Sequence, residues 1–135
     1  MIPVKLELKN FMPYRDNVPT LHFNEIHTAS IWGANGNGKS SLMDAITWAI
    51  WGKTRAKSDD DIIHLGQNET TVEFDFLVSN TLYRVIRKHA LPKRKSASGQ
   101  SSLDLLVSDD EGNFRAISGN TIPQTQQQII DILHM

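Results

Sequence analysis

The sequence predicts an α/β fold in which the antiparallel portion of a mixed sheet packs around one helix. Three features support this prediction: segments that alternate apolar and polar residues, a glycine-rich turn at residues 33–40, and an apolar helical stripe directly after that turn. The chain has 135 residues and is 39% hydrophobic. This length is sufficient for one small unit with a buried core.

Three strands are predicted before or at the glycine-rich turn. Residues 4–9 (VKLELK) alternate apolar and charged side chains, which indicates a half-buried strand. Residues 18–23 (VPTLHF) indicate a second strand across an intervening turn. Residues 28–32 (TASIW) are small or apolar and fit a buried strand that leads into the glycine-rich turn.

The glycine-rich turn matches the phosphate-binding P-loop. Its glycines permit positive φ angles, so that backbone N–H groups can turn inward around phosphate oxygens. In such a loop Lys39 reaches the β- and γ-phosphates, and the Ser40 hydroxyl ligates magnesium. The sequence therefore predicts a site for a nucleoside triphosphate and Mg²⁺. Its phosphate-binding residues are Gly33, Ala34, Asn35, Gly36, Asn37, Gly38, Lys39 and Ser40.

A helix is predicted over residues 39–51. Its apolar stripe, at helical spacing, consists of Leu42, Ala45, Ile46, Ala49 and Ile50. Gly52 is suited to end the helix, and the positive end of the helix dipole would add to the anion site. Trp48 and Trp51 lie off the centre of the stripe; packing in the core or against a partner is favoured over stacking on a nucleotide.

The elements after this helix predict a hairpin rather than a further βα crossover. Alternation indicates strands at 72–78 and 82–88, joined by a tight turn, and at 103–107 and 114–117. Residues 93–102 are predicted to be a mobile loop. A final helix is predicted over 122–133, with Asn120 or Thr121 as its cap.

This order of elements separates the classes of P-loop protein. Small kinases and GTPases place the loop after the first strand and continue with βαβ repeats. Two strands before the loop strand and a hairpin after its helix instead favour a P-loop NTPase of the ABC-ATPase type. The acidic run at residues 109–111 follows an apolar strand and imitates a Walker B motif. We reject that interpretation because Gly112 and Asn113 make the run a turn.

Composition and charge restrict the other functional classes. Lys and Arg total 14 against 15 Asp and Glu, so no global field attracts the chain to nucleic acid or membrane. The chain has no cysteine, and no apolar run approaches membrane-spanning length. These features predict a cytoplasmic location. One local basic cluster consists of Arg84, Arg87, Lys88, His89, Lys93, Arg94 and Lys95. It could contact DNA phosphates, but a solvated strand edge is the favoured interpretation.

Three segments of the chain carry a resemblance to a known family. They are LKNF at residues 8–11, GANGNGKSSLMDAI at 33–46, and the hairpin formed by VEFDF (72–76) and YRVIR (83–87). Together they resemble the N-terminal ATPase lobe of the SbcC-type DNA double-strand-break repair ATPases, relatives of the SMC proteins. The similarity runs through essentially the whole chain. It implies that residues 1–135 are the N-terminal half of an ABC/SMC-type ATPase head.

The resemblance implies roles for further residues. Residues 35–41 would wrap the triphosphate of ATP, with Ser41 nearest the α-phosphate. Ile63, His64 and Leu65 match the stretch beside the nucleotide base, although His64 would otherwise be an ordinary histidine. The family often carries an arginine where this chain has Met12. Arg15 is a candidate substitute; a stacking role for Tyr14, or a solvated turn arginine at residue 15, are the alternatives.

The resemblance also implies partners. The family's Walker B acid, its signature motif and its coiled coil lie outside the N-terminal lobe, so the chain would supply half of an ATP site. The expected partners are the C-terminal lobe of the same protein, a second head in a homodimer, an SbcD-type nuclease, and DNA. Two other functions stay open: a self-sufficient small P-loop kinase or NTPase, and a nucleotide-sensing interaction module that does not hydrolyse ATP.

Overall fold

The computed structural model describes residues 1–12, 20–23, 38–54, 56, 58–92 and 99–133. In chain order the strands are β1 (Ile2–Lys9), β2 (Leu21–His22), β3 (Glu69–Val78), β4 (Thr81–Ala90), β5 (Gln100–Ser108) and β6 (Phe114–Ala116). The helices are α1 (Gly38–Trp51), the short 3-10 helix (Asp59–Ile62) and α2 (Ile122–Leu133).

The described strands form one sheet in the order β2-β1-β3-β4-β5-β6. Every neighbouring pair is antiparallel. The predicted hairpin after α1 is confirmed, with β3 and β4 paired from end to end. Its turn consists of Ser79 and Asn80, which both adopt left-handed φ angles of 51° and 67°. Such a turn matches the right-handed twist of the two strands.

The predicted strands differ from the observed ones mainly at their ends. The strand predicted at residues 18–23 is observed as the two-residue β2 within its described part, residues 20–23. The loop predicted over 93–102 is too long, because β5 begins at Gln100 and pairs with the end of β4. The loop strand predicted at 28–32 lies outside the described residues. Among the described residues, no helix is long and apolar enough to cross a membrane.

Both long helices cover one face of the sheet, and the core lies between them and the strands. Because successive side chains of a strand point to opposite faces, every second side chain of each strand lies on this face. For example, Leu6 lies opposite Phe74, and Leu8 opposite Val72. The buried cluster comprises Leu6, Leu8, Phe11, Ala45, Trp48, Ala49, Ile50, Ile62, Val72, Phe74, Phe76, Val85, Leu103, Leu105 and Ile129.

The opposite face of the sheet carries an ionic cluster formed by Lys5, Glu7, Glu73, Asp75 and Arg84. Arg84 makes a bidentate pair with Asp75, with Nε–Oδ1 at 2.8 Å and Nη2–Oδ2 at 2.9 Å. Lys5 Nζ lies 3.8 Å from carboxylate oxygens of both Glu73 and Asp75. Charges of both signs therefore alternate across β1, β3 and β4 on the face that the helices leave open.

Local polar contacts end α1 and begin α2. Gly52 has a φ of +71°, and its N–H donates to the Trp48 carbonyl at 2.7 Å, which closes the last turn of α1. At the start of α2 the hydroxyl of Thr121 accepts from the Gln124 N–H at 3.2 Å. Thr121 is therefore the cap, which decides between the two predicted candidates.

Candidate nucleotide-binding site

The first turn of α1 begins at Gly38 and continues through Lys39 and Ser40. The backbone N–H groups of a first turn have no partner inside the helix, and the helix dipole is positive there. No acidic residue occupies this turn of α1, so no side chain of the turn opposes an anion. The backbone at this end of α1 is therefore suited to hold a phosphate group.

Part of the predicted site lies outside the described residues. This applies to Gly33, Ala34, Asn35, Gly36, Asn37 and Arg15. Gly38, Lys39, Ser40 and Ser41 are described as helix backbone, without their side chains. The phosphate, magnesium and base contacts assigned to these residues remain predictions.

The body of α1 is held rigidly against the sheet. Ala45, Trp48, Ala49 and Ile50 are each no more than 1% exposed. The ring of Trp48 packs against the ring of Phe11, with the two centroids 5.8 Å apart. The Nε1–H of Trp48 donates to Asp59 Oδ1 at 3.3 Å. The structure thus places Trp48 in the core, as the favoured interpretation predicted.

The segment predicted to lie beside the nucleotide base interlocks with the end of β1. Ile63 is buried and forms an antiparallel bridge with Phe11. The His64 backbone N–H donates to the Asn10 carbonyl at 2.7 Å, and its Nδ1 donates to the Met12 carbonyl at 2.7 Å. A carbonyl only accepts, so Nδ1 carries the proton in this contact.

The three residues of this segment therefore have different environments. Ile63 contributes to the buried interior, and the imidazole of His64 is half-buried and anchored. Leu65 is 93% exposed, followed by Gly66 at a φ of +89°. Only His64 and Leu65 present surface to a ligand. The left-handed φ angles of Asn10 (55°) and Met12 (49°) shape the backbone that receives His64, a feature with no clear signal in the sequence.

The basic residues of β4 lie on both faces of the sheet. Arg84 is paired with Asp75 on the open face of the sheet, whereas Arg87 is 7% exposed and points toward the helices. His89 Nε2 lies 2.6 Å from Asp60 Oδ1, and its Nδ1 lies 2.6 Å from Ser101 Oγ. Lys88 is exposed. The strand β4 is paired on both sides, with β3 and β5, so the interpretation of these residues as a solvated strand edge is wrong for β4. Residues 93–95 lie outside the described residues, and DNA contact stays a prediction.

Two carboxyl groups of the ionic cluster influence each other's protonation. Glu7 and Glu73 are register partners on β1 and β3. Burial, and the hydrogen bond to Glu7, raise the pKa of Glu73 to about 7. The same hydrogen bond to Glu73 lowers the pKa of Glu7. The hydrogen-bonded carboxylate of Asp75 raises the pKa of Arg84, which stays charged.

The acidic run at residues 109–111 forms a turn, as predicted. The carboxylate Oδ1 of Asp109 accepts the backbone N–H groups of Glu111 and Asn113, each at 2.9 Å. Backbone hydrogen bonds, that from Asn113 first, lower the pKa of Asp109. The carboxylate of Asp109 therefore caps its own turn, and Asp109 does not lie at the end of a buried strand as a Walker B acid would.

The fold and the helix-start geometry define the chain as an α/β P-loop NTPase lobe of the ABC-ATPase type. The chain belongs to the AAA domain family, whose model matches residues 5–134. The fold is shared with a solved structure described as "Structure of the recombination mediator protein RecF-ATP in RecFOR pathway". That chain has a TM-score of 0.53 at 14% identity, over 84% of this chain and 27% of that one.

Curated relatives confirm the resemblance to the SbcC-type ATPases. The SbcC component of the SbcCD nuclease from Deinococcus radiodurans is 32% identical over 136 residues, which cover 98% of this chain and 14% of that protein. "Probable DNA double-strand break repair Rad50 ATPase" of Aquifex aeolicus is 34% identical over 91 residues, 64% of this chain and 9% of that protein. "Chromosome partition protein Smc" of Mycoplasma genitalium is 29% identical over 81% of this chain and 12% of that protein. This chain therefore spans less than one sixth of the length of these relatives.

Proposed function

We propose that this chain is the ATP-binding lobe of a cytoplasmic DNA-repair ATPase. With its C-terminal lobe and a second head it would hydrolyse ATP and regulate an SbcD-type nuclease partner that acts on DNA ends. The observation that carries the proposal is the start of α1 at Gly38, within the Gly-Lys-Ser of the P-loop, on a helix whose sheet-facing side is buried. A rigid helix start is a suitable platform for phosphate positioning, which dominates phosphoryl-transfer catalysis.

In this proposal residues 33–38 cradle the phosphates, Lys39 neutralises charge that develops during transfer, and Ser41 lies near the α-phosphate. Ser40 supplies a hydroxyl ligand for Mg²⁺, an oxygen donor of the kind that this ion prefers. When bound, Mg²⁺ neutralises negative charge on the phosphate oxygens. Ile63, His64, Leu65 and Arg15 form the base-binding side, with His64 held by its contacts to the end of β1.

The acid that orients the attacking water would come from the C-terminal lobe. Two acids of the 3-10 helix are already bonded: Asp59 accepts from Trp48, and Asp60 is in contact with His89. Asp109 caps its own turn. The site is therefore proposed to be composite, completed by residues outside this chain.

The surface beside α1 supports docking of that second lobe. An apolar groove of about 290 Å³ runs along α1, and its lining includes Leu6, Leu21, Phe23, Leu42, Met43 and Ile46. Met43 is 39% exposed. A helix that is apolar on most of its circumference is typical of one covered on more than one side. Because the chain spans only 14% of its Deinococcus relative, we assign the C-terminal lobe of the same protein as the cover.

The test is ATP hydrolysis by the full-length protein and by this chain with and without the C-terminal lobe. We expect Mg²⁺-dependent hydrolysis only when both lobes are present, and a loss of about a hundredfold or more in Lys39→Ala. Lys53 is exposed and lies just after α1, so Lys53→Ala is the matched control and should retain activity.

Three outcomes would favour other interpretations. Full hydrolysis by the isolated chain that requires Asp109 or Glu111 would contradict the composite site. Phosphorylation of an acceptor without a partner would favour a small kinase. Normal nuclease regulation in a complex unable to hydrolyse ATP would favour a nucleotide-sensing module.

A further inference from the structure

A polar clamp formed by Arg87 and Gln126 holds the C-terminal end of α1. Arg87 Nε donates to the Ala49 carbonyl at 3.3 Å, and Arg87 Nη2 donates to Gln126 Oε1 at 2.5 Å. Gln126 Nε2 in turn donates to the Ile50 carbonyl at 2.5 Å. Two side chains from β4 and α2 thus bind two successive carbonyls that the end of a helix leaves without intrahelical partners.

The clamp supplies the charge that α1 lacks in its own sequence. The last turn of α1 has no basic residue, and the guanidinium of Arg87 places a cation against the negative end of the helix dipole. Arg87 is 7% exposed, and its Cζ lies 5.9 Å from the centroid of the Trp48 ring. Burial lowers its pKa to about 10, with the charge of Asp59 acting in the opposite direction, so Arg87 stays protonated at neutral pH.

The two ends of α1 therefore have different roles. Its N-terminal turn carries the proposed phosphate site, and its C-terminal end is joined to α2 through Gln126. The 14-residue helix is a rod of about 20 Å between them. A close-packed core transmits displacement rather than absorbing it, so a shift of α2 at the clamp must move α1 or break the hydrogen bonds.

We propose that the Arg87–Gln126 clamp couples helix α2 energetically to nucleotide binding at the start of α1. Arg87 and Gln126 are positioning residues, which act through α1 and do not touch the nucleotide. This inference rests on the proposed function, because it needs a nucleotide at the first turn of α1. Coupling between two sites is reciprocal, so nucleotide stabilises α2 by the same free energy that the clamp contributes to nucleotide binding.

The test uses the full-length protein as wild type and as Gln126→Ala, Gln126→Glu and Gln127→Ala. Gln126 is chosen because loss of the buried Arg87 can prevent folding. Gln126→Glu retains an acceptor for Arg87 but cannot donate to the Ile50 carbonyl. Gln127 is the next residue on α2, exposed and bonded to Asp131 within the same helix, and serves as the matched control.

Two quantities are measured: the Kd for a fluorescent ATP analogue with Mg²⁺, and amide hydrogen exchange of residues 122–133 with and without that analogue. In the wild type and Gln127→Ala, we expect nucleotide to slow exchange in α2. In Gln126→Ala, we expect that effect to fall, and Kd to rise, by about fivefold or more. Gln126→Glu should lie between the two.

The outcomes separate this inference from the proposed function. A purely structural clamp would change exchange in Gln126→Ala equally with and without nucleotide and leave Kd unchanged, which would overturn the coupling alone. The coupling would also be overturned if Gln126→Ala had the same Kd as the wild type and the same nucleotide-dependent slowing of exchange in α2. Failure of the wild-type protein to bind the nucleotide would overturn the proposed function, and the coupling with it.

Discussion

Trp48 and Phe11 pack with their ring centroids 5.8 Å apart and their planes inclined at 42°, which joins the middle of α1 to the end of β1. Phe11 also bridges to Ile63, so one buried aromatic pair connects α1, the sheet and the segment proposed to lie beside the base. Both side chains are no more than 1% exposed. The relative positions of α1 and residues 63–65 therefore depend on this buried packing.

Phe11→Ala should be strongly destabilising. Removal of a fully buried phenylalanine costs about 3–5 kcal/mol in free energy of unfolding, because burial is lost and a cavity remains. Urea denaturation of the lobe measures this change. Leu65→Ala is the control, since Leu65 is 93% exposed, and it should change the free energy of unfolding by less than about 0.5 kcal/mol. Equal effects of the two substitutions would show that the pair is not central to the core.

Asp75→Asn should destabilise the sheet by breaking the bidentate pair with Arg84. The Asp75 side chain is 5% exposed and that of Arg84 is 21% exposed, so the pair is only partly screened by water. We expect a loss of about 1.5–3 kcal/mol, which is the range for hydrogen bonds to charged groups. The matched control is Asp110→Asn in an exposed turn, which should be nearly neutral. A similar loss in both variants would argue against a specific role for the pair.

Glu73→Gln should change the pH dependence of stability. The folded-state pKa of Glu73 is about 7, above its ordinary value of 4.5, so the folded state holds a proton that the unfolded state releases between these values. The stabilisation from this proton is complete below about pH 4.5 and is lost as pH rises through about 7. Glutamine stays neutral, so the variant should gain stability relative to wild type as pH increases across this window.

The measurement is urea denaturation of wild type and Glu73→Gln at several pH values between about 4.5 and 8. Glu69→Gln is the control, on the same strand and at its exposed end. It should show no comparable change in relative stability over this window. A constant difference between Glu73→Gln and wild type at every pH would contradict the raised pKa.

Gly52→Ala should be more destabilising than Gly66→Ala. Both glycines have left-handed φ angles, +71° and +89°, which cost a residue with a Cβ about 1–2 kcal/mol. A Cβ at Gly52 would also lie 2.9 Å from Arg87 Nη1, whereas a Cβ at Gly66 would meet nothing within 4 Å. The difference between the two free energies of unfolding thus reports the displacement of Arg87. Equal losses would show that Arg87 moves aside freely.

Much of the fold was predictable because local patterns were strong. Alternation located the long strands β3, β4 and β5, and the helical stripe and Gly52 located α1 to within one residue at its start. The paired strands and the acidic turn at residues 109–111 followed from turn chemistry. Strand ends were less accurate: Gln100–Ser102 are polar, and only pairing with the end of β4 makes them a strand.

The basic hairpin shows why a linear cluster does not define a surface. Arg84, Arg87 and His89 are close in sequence, but alternation along β4 sends Arg84 to one face and Arg87 and His89 to the other. The partners that fix these side chains, Asp75, Gln126 and Asp60, come from three other elements. No spacing rule relates residues that are 29 or 39 positions apart in the chain.

By itself the sequence determined the class of this protein: a P-loop before a single helix, strands on both sides of it, and no convincing catalytic acid. These features depend on short-range periodicity and on glycine conformations, which are encoded locally. Only the tertiary structure decided that Trp48 joins α1 to Phe11, that His64 is anchored at the end of β1, and that Arg87 and Gln126 bind the carbonyl end of α1. These contacts join segments distant in sequence, and burial and hydrogen bonding select them only when the whole chain is packed.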